Sequence, residues 1–280
     1  MRPALRRAFE RAASTYDTHA VLQAEVGRRL LEHLEGIRID PALVVDLGCG
    51  TGATLEALRR RFPQARLAAI DIAQAMVRKA AGRTPWWKRA LGRGGAWPVC
   101  ADAERLPLAR ASTQLVFSNL MLQWTRPETV FGEVARVLDA GGLFLFSSFG
   151  PDTLKELRAA FSSVRATDRV NTFIDMHDLG DALVHAGFAD PVMEMEIVTL
   201  EYATVDALVR ELRNLGSRPA APGRGLFGKS RWRALVADYE RQRRSGAIPA
   251  TYEVIYGHAW KVPPRKLADG RQVIDFQPRR

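Results

Sequence analysis

The sequence predicts an α/β fold: a doubly wound, mostly parallel sheet of seven strands with helices on both faces, a helical cap before the first strand and a helical lid inserted between the last two. Two observations carry this expectation. Short apolar runs alternate with stretches of helical spacing from about residue 37 to 203, the pattern of βα units joined by right-handed crossovers. The first such run, Leu43 to Leu47, stops abruptly at glycines, as a buried parallel strand does where it turns into a helix.

Residues 4–34 place Leu5, Phe9, Ala12, Val21, Leu22, Val26, Leu30 and Leu31 at helical spacing, which predicts two helices broken near Ser14 to Thr18. The arginine-rich start resembles a transit peptide in composition, but its pattern runs on into this folded segment, so it reads as part of the mature protein. After the first strand, Thr54 to Phe62 reads as a helix and Leu67 to Ile70 as the second strand. Residues 82–95 contain four basic and no acidic side chains framed by glycine and proline, and read as an exposed loop before a third strand at Trp97 to Ala101. A fourth strand is expected at Leu115 to Ser118 and a fifth at Leu143 to Ser148. Between them a helix from Pro127 to Leu138 should end at Gly141 and Gly142. Helices at 152–164 and 176–186 precede a sixth strand, Pro191 to Tyr202, and Ala250 to Trp260 forms the seventh.

These elements divide the chain into a cap (1–36), a main domain (37–203 and 248–262), a helical lid (204–247) and a tail (263–280). With 280 residues the chain is long enough for one large domain with an insertion or for two small domains. Its 47% hydrophobic and 26% charged residues match a folded globular protein, and no apolar run is long enough to span a membrane. Cys49 and Cys100 are the two cysteines, one of them inside the glycine loop, so a disulfide framework is not expected and a reducing, cytoplasmic location is. The five histidines lack ligand spacing, and no metal site is expected.

The net charge of +10 favours an acidic partner. Residues 204–244 hold ten Lys or Arg against four Asp or Glu, so more than half of that excess falls in one insertion. Arg210, Arg213, Arg218, Arg224, Lys229, Arg231 and Arg233 are the candidate docking residues. Any one of them singly is better read as the solvated face of a helix, and the cluster as a whole as a partner site. With no RNA-binding module in the sequence, nucleic acid is not the expected partner, and the chain is expected to act as a monomer.

The chemistry is concentrated in VVDLGCGTG, Val44 to Gly52, which places Asp46 at the end of a strand and then Gly48, Gly50 and Gly52 at alternate positions. Such a loop lets backbone approach a ligand closely, and Asp71, at the end of the next strand, stands where a carboxylate accepts hydrogen bonds from ribose hydroxyls. A nicotinamide-binding loop would space its second and third glycines differently, and lacks the acid before the loop.

This D-x-G-x-G-x-G pattern resembles motif I of the class I, Rossmann-like methyltransferases that use S-adenosyl-L-methionine. The resemblance implies that Asp46 holds the cofactor's ammonium group and that the loop residues Leu47, Gly48, Cys49 and Gly50 line its amino-acid end. It also implies that Asp71 accepts the ribose hydroxyls and that Ile72 and Met76 contact the cofactor. CADAERLPL, Cys100 to Leu108, resembles the segment that frames adenine, through Asp102 and Ala103. LVFSNLMLQW, Leu115 to Trp124, resembles the fourth-strand motif, with Asn119 and Leu120 bordering the cofactor.

Four further pieces are similar to the malonyl-acyl-carrier-protein O-methyltransferases of biotin synthesis (BioC). They are FERAASTYDTHA (Phe9 to Ala20), NLMLQW (Asn119 to Trp124), SSFGPDTLKEL (Ser147 to Leu157) and FIDMHDLGDAL (Phe173 to Leu183). The resemblance implies methylation of the free carboxylate of malonyl-acyl carrier protein or malonyl-coenzyme A, with the acidic carrier protein as partner. Tyr16, His19 and Trp124 are then the candidate catalytic residues. Tyr16 fits either a role over the cofactor or one in capping and packing, and His19 and His177 fit structural roles as well as chemical ones. Other acceptors remain open: RNA, a small acid or a quinone precursor. So does a respiratory-complex assembly factor that hydroxylates arginine on the same fold. A module that has lost its chemistry would have damaged cofactor motifs, and these are intact.

Overall fold

The structure is a computed structural model describing residues 2–83, 95–166, 171–216 and 228–263. Seven strands form one sheet in the order β3-β2-β1-β4-β5-β7-β6. They are β1 (Leu43–Leu47), β2 (Arg66–Asp71), β3 (Ala96–Cys100), β4 (Thr113–Ser118), β5 (Leu138–Phe149), β6 (Phe188–Tyr202) and β7 (Ile248–Lys261). The first five run parallel, and β7 lies antiparallel between β5 and β6.

The period-two alternation of strand side chains splits the core between the two faces of this sheet. On one face Val44, Leu115, Leu143 and Leu145 meet the helices α3 (Val21–Glu32), α4 (Leu55–Arg61) and α7 (Lys155–Ser163). On the other, Val45, Val116, Phe144 and Phe146 meet α6 (Pro127–Val137) and α8 (Met176–His185). Phe144 and Phe146 stack at 4.9 Å between ring centroids. Fully burying a side chain of this size contributes about 1.5–3 kcal/mol, and this double layer is what holds the central strands in register.

The cap has three parts: α1 (Arg2–Ala12), one turn of helix α2 (Tyr16–His19), and α3. The expected break at Ser14 to Thr18 is met only in part: residues 13–15 form a turn, and Tyr16–His19 adds a helical turn that the spacing did not predict. Helix α1 packs on α5 (Gln74–Gly82), and its Glu10 carboxylate accepts the backbone N–H groups of Gln74 at 2.7 Å and Ala75 at 3.0 Å. An acid from one helix thereby satisfies the open donors at the start of another. The insertion forms α9 (Val205–Asn214) and α10 (Lys229–Glu240). Thr204 caps α9 by accepting the N–H of Ala207 at 3.1 Å.

Several boundaries differ from the sequence expectation: helix α7 starts at Lys155 and not at 152, strand β5 starts five residues early at Leu138, and two differences have a clear cause. Helix α6 ends at Val137, not at the glycine pair, because Leu138 already belongs to β5 and pairs with Thr113 of β4. Gly141 and Gly142 fall within a register shift between the pairs Thr113–Leu138 and Leu115–Leu143. Strand β6 begins three residues earlier than expected, at Phe188, and crosses Pro191 through a second register shift at the sheet edge, where proline costs no ladder bond. The basic loop of 82–95 and the tail of 263–280 lie almost wholly outside the described residues. No helix among the described residues is long and apolar enough to cross a membrane.

Candidate active site

Strand order reverses between β1 and β4, so the loops leaving their carboxyl ends diverge and open a crevice. The glycine loop fills its floor. The N–H groups of Gly48 and Cys49 both donate to the Ile70 carbonyl, at 2.8 and 3.0 Å, which ties the loop to β2. Gly48 has φ +76, and a Cβ there would lie 2.4 Å from Cγ of Met121, so only glycine permits this approach. Gly50, at φ +52, donates its N–H to Asp71 Oδ2 at 3.0 Å, and Ala73 donates to Asp71 Oδ1 at 2.8 Å.

Two carboxyl groups sit at the loop with unusual electrostatics. Asp46 is 2% exposed and accepts the Thr54 hydroxyl at 2.7 Å. Burial, reinforced by the nearby charge of Asp71, pushes its carboxyl up to about 7. Burial likewise pushes Asp71 up to about 6, opposed by the N–H groups of Ala73 and Gly50 that favour its charged form. Both carboxyls would gain from a ligand that brings a cation to one and hydrogen-bond donors to the other.

Two cavities flank the loop. On the Asp71 side, a cavity of about 80 Å³ is bounded by Leu47, Gly48, Gly50, Ile72 and Met76 below and by Asp102, Ala103, Asn119 and Leu120 above. On the far side, a cavity of about 440 Å³ is bounded by Asp46, Cys49, Thr54 and the other faces of Gly48 and Gly50. Every residue expected to bind the cofactor therefore borders one or both. Asn119 does so as a strut: its Nδ2 donates to the Gln23 carbonyl at 2.8 Å, and its Oδ1 accepts the Ser147 hydroxyl at 2.8 Å. Ser147 in turn accepts the N–H of Leu120 at 3.0 Å, which holds Leu120 in its left-handed conformation at φ 49.

The candidate catalytic residues divide. Tyr16 borders both cavities, and burial followed by the charges of Asp71 and Asp17 raises its phenol pKa, so it stays protonated. Trp124 borders the smaller cavity and packs edge-on against Phe9 at 5.6 Å. His19 borders none of the cavities described; its Nε2 lies 3.0 Å from Nδ2 of Asn214, so it links α2 to α9. His177 sits in the first turn of α8, exposed, with Nδ1 2.7 Å from Asp175 Oδ1.

A third cavity, of about 480 Å³, opens between β5, α7 and the inserted helices. Its walls are mostly apolar, from Phe149, Leu157, Phe161, Phe173, Leu212 and Trp232, with Arg213 and Lys229 also on its lining. Trp124 is shared with the Asp71-side cavity and Gln23 with the Asp46-side cavity. Arg210, Arg213, Lys229, Arg231 and Arg233 are all exposed on α9 and α10, while Arg218 and Arg224 lie outside the described residues. Among the described residues, no cluster of three His, Cys, Asp or Glu could hold a metal ion.

Several participants were not legible beforehand. Asp17 accepts the Thr51 hydroxyl and, at 3.0 Å, a guanidinium N–H of Arg83, which ties the cap to the glycine loop. Asp17 adjoins Tyr16 in the YD pair, and that adjacency was the one available signal. Ser147 lies in the family-similar piece from Ser147 to Leu157 but without an assigned role, and Gln23 gave no signal, since their partners are 28 and 96 residues away.

A family model described as "Methyltransferase domain" matches residues 45–146, the stretch that carries all of the loop motifs. Two relatives align over nearly the whole chain. One, from Gallionella capsiferriformans, is 49% identical over 97% of this chain and 94% of its own length. The other, from Laribacter hongkongensis, is 48% identical over 98% and 95% respectively. Both bear the name malonyl-[acyl-carrier protein] O-methyltransferase. Among solved structures, the YcgJ protein from Bacillus subtilis superposes with a TM-score of 0.60 at 15% identity, covering 85% of this chain and 99% of that one, which shows a shared fold.

Proposed function

The chain belongs to the malonyl-[acyl-carrier protein] O-methyltransferase family, and on that premise we propose that it moves a methyl group from S-adenosyl-L-methionine to the free carboxylate of a malonyl thioester on acyl carrier protein. The ester so formed would pass as a neutral chain end to fatty-acid elongation enzymes, on the way to a pimeloyl chain and biotin. The observation that carries this reading is the junction at Trp124 and Gln23, where an apolar cavity of about 480 Å³ meets the two cavities of the glycine loop.

The residues present fit the cofactor. Asp71 has lone pairs left for ribose hydroxyls after accepting two backbone N–H groups, and Asp46, neutral or charged near pH 7, gains from an ammonium group beside it. Asp102 and Ala103, which border the Asp71-side cavity, are the residues assigned to adenine in this reading. When bound, the cofactor supplies a sulfonium methyl group open to in-line displacement by a carboxylate oxygen. A carboxylate with an ordinary pKa near 4 is already ionised at pH 7, so the protein need not supply a base. Its task is alignment and exclusion of water, served by the Phe9–Trp124 contact and the apolar walls. The exposed Arg210, Arg213, Lys229, Arg231 and Arg233 give the inserted helices a basic face suited to an acidic carrier protein. The names of the relatives favour this acceptor over RNA, a small acid, a quinone precursor or a protein arginine.

The test is methyl transfer from labelled S-adenosylmethionine to malonyl-acyl carrier protein, read by intact mass. A gain of one methyl group, removed by mild alkali as an ester is, supports the assignment. No transfer to malonyl-acyl carrier protein or malonyl-coenzyme A, with cofactor binding confirmed, overturns it.

A further inference from the structure

Gln23 lies in the first turns of α3 and borders two cavities at once: the one that holds Asp46 and Thr54, and the apolar one that meets Trp124. Its side-chain Oε1 is buried and has no hydrogen-bond partner among the described residues. An amide oxygen in that state is costly unless a donor arrives. The backbone beneath it is fixed, because the Gln23 carbonyl accepts Nδ2 of Asn119 at 2.8 Å. One turn on, Gly27 permits that approach: a Cβ there would lie 2.9 Å from Nδ2 of Asn119.

We propose that Gln23 joins the two substrates, its Oε1 accepting a hydrogen bond from the ammonium group of the cofactor and its Nε2 donating one to the carboxylate that is methylated. The inference rests on the methyl-transfer reading above and adds the group that orients the acceptor.

Several neighbouring polar groups are less suited to this task than Gln23. Both ends of the Asn119 amide are engaged, with the Gln23 carbonyl and the Ser147 hydroxyl. Thr153 Oγ1 is engaged with the carbonyl and the N–H of Glu253, both at 3.1 Å. Asp206 and Glu211, which also border the apolar cavity, would repel a carboxylate. Arg213 and Lys229 line it too, but as exposed side chains that solvent screens. A neutral amide also suits the chemistry better than a cation. It directs one carboxylate oxygen without neutralising the other, which must attack, and it adds no positive charge beside a sulfonium.

The experiment compares Gln23→Met, which keeps the volume and removes both polar ends, with Gln23→Glu, which keeps an acceptor for the ammonium and sets a negative charge against the acceptor carboxylate. Binding of S-adenosylhomocysteine, which carries the same ammonium group, is measured by calorimetry. KM for malonyl-acyl carrier protein is measured separately, and thermal midpoints confirm folding. Gln23→Met should weaken homocysteine-nucleoside binding by on the order of tenfold or more, the loss of a hydrogen bond to a charged group, and should raise KM as well. Gln23→Glu should bind it within about twofold of the parent or tighter, yet raise KM by on the order of tenfold or more. Equal weakening of cofactor binding by both variants, or values within about twofold of the parent throughout, overturns the proposal. If the parent protein methylates no malonyl thioester, the acceptor half falls with the functional reading, and the calorimetry still decides the cofactor half.

Discussion

The backbone N–H of Gly50 donates to the carboxylate of Asp71 at 3.0 Å, joining the middle of the glycine loop to an acid 21 residues further along the chain. The loop and the acid proposed to bind ribose are thus one hydrogen-bonded unit, set before any ligand arrives. Preorganisation of this kind spares the ordering cost that a flexible loop would incur on binding.

Asp71→Ala should therefore harm the site twice, by removing the acceptor for ribose hydroxyls and by freeing the Gly50 and Ala73 N–H groups. Cofactor binding should fall by on the order of 100-fold, more than for any other single change in the site, as two hydrogen bonds to a charged group are lost. Calorimetric titration with S-adenosylhomocysteine measures this. A loss under threefold contradicts the assignment of Asp71.

Cofactor affinity should rise with pH between about 5 and 7. In the free protein burial pushes the Asp46 carboxyl up to about 7, so part of the population is protonated at neutral pH, and a bound ammonium group favours its ionised form. Binding should then release a proton, visible as a dependence of the calorimetric enthalpy on buffer ionisation near pH 6.5. Asp46→Asn should bind more weakly and lose that dependence.

The same carboxyls set the opposite trend in the free protein. Their folded pKa values, about 7 for Asp46 and about 6 for Asp71, lie above those of an unfolded chain, so they favour the folded state most below about pH 4. That contribution is lost as pH rises through 6 and 7. In Asp46→Asn it should be smaller, and urea midpoints of parent and variant at pH 5 and pH 8, compared as differences, would show it.

Gly48→Ala should distort the loop, since its Cβ would fall 2.4 Å from Cγ of Met121 at a φ of +76. About 1–3 kcal/mol of stability should be lost, together with most of the cofactor affinity. A normal urea midpoint with normal binding would show that the loop tolerates the clash by moving.

Reversing charge at Arg210 and Arg213 should raise KM for the carrier protein several-fold at low salt and leave the S-adenosylhomocysteine affinity alone. The difference should shrink as salt increases, because these side chains are exposed. Equal effects on both ligands would mean that the inserted helices serve the fold and not docking.

How much of this was written in the sequence depends on the distance over which each feature is encoded. The central strands and the glycine loop with its two acids were legible because each is a local pattern: apolar runs of one strand's length, glycines two apart, an acid at a strand end. The break between α1 and α3 was legible for the same reason, though not the helical turn within it, and the basic insertion was a matter of counting. Helix α6 ended before the glycines because Leu138 is claimed by β4, a cross-strand pairing no local rule contains. His19 stood one turn from Tyr16 and read as a companion in chemistry, yet it turns toward Asn214 on α9.

The sequence by itself thus determined the fold class, the cofactor loop and the charge of the insertion, all of which follow from periodicity and composition along short stretches. Tertiary structure alone decided that Asn119 is a strut between Gln23 and Ser147, that Asp17 fastens the cap to Thr51 and Arg83, and that Gln23 stands where two cavities meet. The physical reason is that hydrogen bonds and cavity walls depend on which groups folding brings within about 3 Å, whatever their separation along the chain.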